Sequence, residues 1–123
     1  MATATIQGLK FQYKGDRDVR AAWYVEVNGE SRHGFSRDMQ TAERTARAAL
    51  SEIVGQRCPF LMKAECYGNQ KLKERVVPLL KERGYGPDVT SKRSALLRAN
   101  KEERKRWMEE AKEAATVEVV KVD

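Results

Sequence analysis

The chain has 123 residues, with 41% apolar and 34% charged residues, a formal net charge of +6 and a pI near 9.5. That length suits one domain with a single core, and no apolar run is long enough to span a bilayer. The positive balance favours acidic partners such as nucleic acid or an acidic protein.

The two cysteines, Cys58 and Cys66, are too few for a disulfide framework, and with His33 alone they form no zinc set. Buried reduced thiols and the absence of a signal-peptide pattern suit a soluble, cytoplasmic protein.

In chain order, residues 3–13 read as a strand. The apolar phase changes at Gly8, where a bulge would fit. A turn at 14–18 leads to a strand at 19–27, with Trp23, Val25 and Val27 on one side. Asn28-Gly29 signals a hairpin. A two-residue turn would set Arg32 opposite Val25 and Gly34 opposite Trp23. One extra loop residue would instead pair His33 with Val25 and Phe35 with Trp23, joining apolar to apolar. The second register is the expected one. It puts His33 on the apolar face as a packed residue.

Residues 36–55 carry Met39, Ala42, Ala46, Ala49, Leu50 and Ile53 at helical spacing. Ser36, Asp38 or Thr41 can cap this helix, and Gly55 stands at its expected end. The βββα unit so formed would bury its Trp23/Val25/Phe35 face under the helix.

Phe60, Met62, Ala64 and Cys66 alternate as a fourth strand. Residues 70–83 form a second helix, kinked or shortened at Pro78. Residues 84–91 read as an irregular loop. A long helix capped by Thr90 or Ser91 runs to about Ala115. Residues 116–122 form a last strand, or a tail that joins a partner's sheet. The expected class is α+β.

Two helix flanks are basic: Arg37, Arg44 and Arg47 on the first, and Lys92, Arg93, Arg98, Lys101 and Lys105 on the last. Side chains three, four and seven apart share a face, so each row can follow a phosphate backbone. The competing reading is a solvated face, partly neutralised by glutamates at 102, 103, 109, 110 and 113.

Gly34, Ser36, Arg37, Arg44, Ala46, Ala49 and Leu50 resemble the second half of a double-stranded-RNA-binding domain. That family carries basic residues at the start of this helix and also contacts RNA through a helix before its first strand, which this sequence lacks. The order of elements resembles the ribonuclease H-like fold, with Glu43 at the position of a catalytic glutamate. Asn69 stands where that family has an aspartate, and the first strand has no acid. Two-metal cleavage needs several converging carboxylates, so this resemblance implies the fold without the activity.

The sequence therefore points to a non-catalytic, cofactor-free protein that binds nucleic acid or a nucleoprotein through its basic helix flanks. The alternatives are a small inhibitor or adaptor of a larger protein, of the kind phages encode, and a degenerate nuclease.

Overall fold

Both short hairpins are set by residues that tolerate a left-handed backbone. In the computed structural model, which describes residues 2–123 without the side chain of Asn69, Gln7 and Gly8 have φ of 54° and 75°. Asn28 and Gly29 have φ of 49° and 83°. Two consecutive positive φ values make the tight turn that matches strand twist. The phase change at Gly8 is thus a hairpin turn and not a bulge. Strand β1 (Ala2–Ile6) pairs antiparallel with β2 (Leu9–Tyr13), and Ile6 faces Leu9 across the turn.

The second turn joins β3 (Ala21–Val27) to β4 (Glu30–Ser36), with Val27 opposite Glu30, Val25 opposite Arg32 and Trp23 opposite Gly34. The expected extra loop residue is absent. The apolar mismatch that argued for it is resolved in another way. Arg32 reaches Glu52 of the following helix, Nη1 to Oε2 3.2 Å. Gly34 leaves room for the Trp23 indole, whose atoms would lie 2.8 Å from a Cβ there. His33 consequently falls on the opposite face, exposed and stacked on Phe11 at 4.2 Å between ring centroids. Gly34→Val is expected to lower stability by about 1–3 kcal/mol in chemical denaturation, because a buried ring must move; an unchanged midpoint would contradict this packing.

Helix α1 (Met39–Arg57) starts where Asp38 Oδ1 accepts the Thr41 N–H at 2.7 Å. It passes through Gly55 and stops before Pro59, which disfavours helical backbone in the residue ahead of it. Its buried stripe is Ala42, Ala46, Ala49, Leu50, Ile53 and Val54. The Arg32–Glu52 pair marks α1 as lying on the Trp23/Val25 side of the sheet. The β1–β2 hairpin covers the other face, where Ala4 and Ile6 cluster with Ala22 and Tyr24, flanked by Phe11, Phe35 and Val120. Phe35 therefore lies on the hairpin side and not under the helix. Strand β5 (Thr116–Lys121) pairs with β3, giving the order β4-β3-β5. The final strand is part of the chain's own sheet.

No fourth strand follows Pro59. Phe60, Leu61 and Cys66 are buried while Met62 is 53% exposed, a spacing that no alternating strand satisfies. Lys63–Tyr67 instead forms a 3-10 turn, with the Glu65 N–H on the Met62 carbonyl at 2.9 Å. A helical run follows: α2 (Asn69–Lys71), a π-helical turn (Leu72–Val76) and α3 (Val77–Glu82). Pro78 lacks an N–H and crowds the carbonyl four residues back. The widened turn ahead of it, closed by the Val77 N–H on the Leu72 carbonyl, absorbs the misfit, so the irregularity expected at Pro78 takes the form of a π-helical turn within a continuous run. Within the expected loop, Asp88–Ser91 makes one helical turn, α4. The long helix α5 spans Arg93–Glu113.

The chain is α+β, as its pattern indicates, and divides into two compact units: residues 1–56 with 111–123, and residues 57–110. The second unit has its own core, built on Phe60, Leu61, Leu72, Val76, Leu80 and Leu96. No described helix is long and apolar enough to cross a membrane.

Candidate nucleic-acid interface

The charge is distributed unevenly between the two units. Residues 57–110 hold fourteen Lys and Arg against eight Asp and Glu, an excess of six, which is the whole of the chain's +6. The other unit has ten of each and is neutral. Phosphate-led binding follows local charge. The two basic flanks thus stand in different surroundings.

On α1, Arg44 and Arg47 are exposed and lie away from the Ala42/Ala46/Ile53 stripe. Arg37 precedes the helix and its Nε meets Asp38 Oδ2 at 3.4 Å. The Asp38 carboxyl is held below the usual carboxylate range, chiefly by the Thr41 N–H bond, with Arg37 and Arg44 adding to it. A depressed carboxyl contributes stability above its unfolded-state pKa and loses it as pH falls through the folded value. Arg37 is therefore partly neutralised by its neighbour Asp38. Glu43 is exposed on the same helix. Among the described residues no group of His, Cys, Asp or Glu is placed to hold a metal ion.

On α5 the buried stripe is Leu96, Ala99, Asn100 and Glu103. At about 100° per residue, Arg98, Lys101 and Lys105 project from the opposite side, and all three are exposed. Among the described residues none of them makes an ion pair. The glutamates expected to neutralise this helix are not all on its surface. Glu103 is 2% exposed and accepts from Arg83, Tyr85 and Arg106. Its inward turn leaves the outer row more cationic than the linear sequence suggests.

The remaining candidates differ in role. Arg93 donates from Nη2 to the Cys66 carbonyl at 2.9 Å and ties the 3-10 turn to the start of α5. Lys92 is exposed at the end of α4, bordering a small cavity that Lys73 also lines.

Sequence reading missed a cavity of about 540 Å³ within residues 57–110. Leu61, Cys66 and Leu97 give it an apolar lining, and Lys63, Arg98, Lys101 and Arg104 supply cations. Arg104 also donates to the Phe60 carbonyl at 3.2 Å. Asn100 lines the cavity, but its amide is spent on the Leu61 backbone: Oδ1 accepts the N–H at 3.0 Å and Nδ2 donates to the carbonyl at 2.9 Å. Burial pushes the Cys66 thiol up, with Glu65 adding to the effect, which lowers the share of reactive thiolate. Of the basic row expected on the last helix, Arg98 and Lys101 line this site; the segment that closes it was read as a strand.

Comparison with family models, with curated proteins and with solved structures gives no match.

Proposed function

We propose that the protein binds nucleic acid without catalysis, and that residues 57–110 carry the contact through Arg98, Lys101 and Lys105. The observation behind this reading is the confinement of the entire net charge to that unit, together with a cationic row on the outer side of α5 that makes no ion pair among the described residues. Consecutive members of such a row are separated by about 4.5–6 Å along the axis, at 1.5 Å per residue, so several phosphates can be met at once. A nucleic-acid partner is also what the likeness of the Gly34–Leu50 stretch to a double-stranded-RNA-binding domain implies. Of the two basic flanks expected to bind, the α5 row carries the contact, with Arg37, Arg44 and Arg47 as a weaker cationic surface.

The test is a salt series of equilibrium binding to labelled DNA and RNA. The affinity should fall steeply with salt. Arg98→Glu/Lys101→Glu should weaken binding about 10- to 100-fold and flatten the salt slope by about 2, one for each lost phosphate contact. Arg44→Glu/Arg47→Glu should change it much less. Absence of binding at low salt would refute the reading and leave an inhibitor or adaptor of a larger protein as the working alternative.

A further inference from the structure

A duplex presents phosphates and groove edges, whereas a single strand also offers the faces of its bases. The basic unit has features that suit base faces. Tyr67 ends the 3-10 turn that supplies the Lys63 and Cys66 positions of the cavity wall, and it is 83% exposed. An aromatic ring left so open is costly in water and is a ready stacking surface. The cavity itself falls within the ~300–1,000 Å³ range of small-ligand sites. Its apolar lining at Leu61 and Leu97 adjoins cations at Lys63, Arg98 and Lys101. That combination accepts a flat apolar group attached to a negatively charged backbone.

Resting on the nucleic-acid reading, we infer that residues 57–110 bind single-stranded nucleic acid in preference to duplex, with one unstacked base in this cavity, a neighbouring base on Tyr67 and the adjoining phosphates on Arg98 and Lys101. The Asn100 amide is closed onto the Leu61 backbone and has little left to read a base edge. Binding is therefore tolerant of sequence, since every base offers a π-face while recognition of edges needs free donors and acceptors.

The experiment compares the full chain, Tyr67→Ala and Leu97→Trp by fluorescence anisotropy. The probes are labelled single strands of about 15 nucleotides, of differing base composition, and a duplex of the same length, within the span of known single-strand sites. The wild type should hold the single strands at least about tenfold more tightly than the duplex, with little dependence on composition. Tyr67→Ala removes one stacking platform. It should weaken single-strand binding about 5- to 100-fold and leave duplex binding unchanged. Leu97→Trp, checked for retained helicity, should lower single-strand binding by filling the cavity. Equal or tighter duplex binding, or a silent Tyr67→Ala, overturns the inference while steep salt dependence keeps the broader reading. Loss of all oligonucleotide binding at low salt overturns both, and capture of an acidic peptide instead would assign the surface to a protein partner.

Discussion

Asn100→Asp should destabilise the helical unit by about 3–5 kcal/mol at pH 7, measured by urea denaturation. The side chain is 3% exposed and its two polar atoms bracket the Leu61 backbone, accepting from its N–H at 3.0 Å and donating to its carbonyl at 2.9 Å. The substitution conserves size. It retains an acceptor for the N–H but turns an oxygen toward the carbonyl, so an ionised carboxylate is both buried and opposed there. Protonation restores a donor. The introduced acid is therefore raised above its unfolded value near 3.9, and its penalty grows as pH rises past that value. The deficit should shrink on acidification to about pH 4. A variant within about 1 kcal/mol of wild type at pH 7 would mean that this amide does not hold the segment. Asn100→Ala should cost somewhat less, because it strands the two backbone groups without burying a charge. Both variants should also disturb the cavity, since Leu61 is part of its wall.

Glu103→Ala should cost about 2–4 kcal/mol. The carboxylate accepts from Arg83 Nη1 at 2.8 Å, the Tyr85 hydroxyl at 2.9 Å and Arg106 Nη1 at 3.1 Å. The partners are more open than the acid: the Arg83 and Arg106 side chains are 38% and 65% exposed. Their heads can return to water once the acid is gone, so the loss comes from the bonds and the void and not from stranded cations. Arg106→Ala should accordingly be mild. Tyr85→Phe should cost about 1–2 kcal/mol, and a double-mutant cycle with Glu103→Ala should show coupling of that size; additive effects would contradict the bond. The Tyr85 phenol is raised by burial first and by the Glu103 bond second. A phenol raised in the folded state removes stability as pH rises past its unfolded value near 10. In Glu103→Ala its titration, followed by ultraviolet absorbance, should move back toward that value.

These two side chains mark the limit of what could be read in advance. In a linear sequence Asn100 and Glu103 are polar members of a charged helix, and Glu103 is one of several glutamates near lysines. Helical spacing sets both beside Leu96 and Ala99, but only packing shows that they are buried and which groups they bond. The same limit applied at the hairpin. Pairing apolar with apolar favoured a register in which His33 met Val25. Turn geometry prevailed, because Arg32 found Glu52 and the missing side chain of Gly34 accommodated Trp23.

Local information was sufficient wherever it repeated. The 3.6-residue recurrence of small apolar residues placed α1, and the stripe through Leu96 and Leu97 placed α5. The β-branched run at the C-terminus placed β5, and Asp38 was among the caps expected. The outward positions of Arg98, Lys101 and Lys105 follow from the same periodicity. Contacts distant in sequence settled the rest. The 3-10 turn after Pro59 depends on Asn100, thirty-nine residues on. The division into two units depends on β5 returning to β3. The residues alone determined that the chain is basic, α+β and faced with cations on two helices. Tertiary structure decided that all of the net charge belongs to one unit, beside an apolar cavity, because a charge count acquires a location only when the boundaries of the folded unit are known.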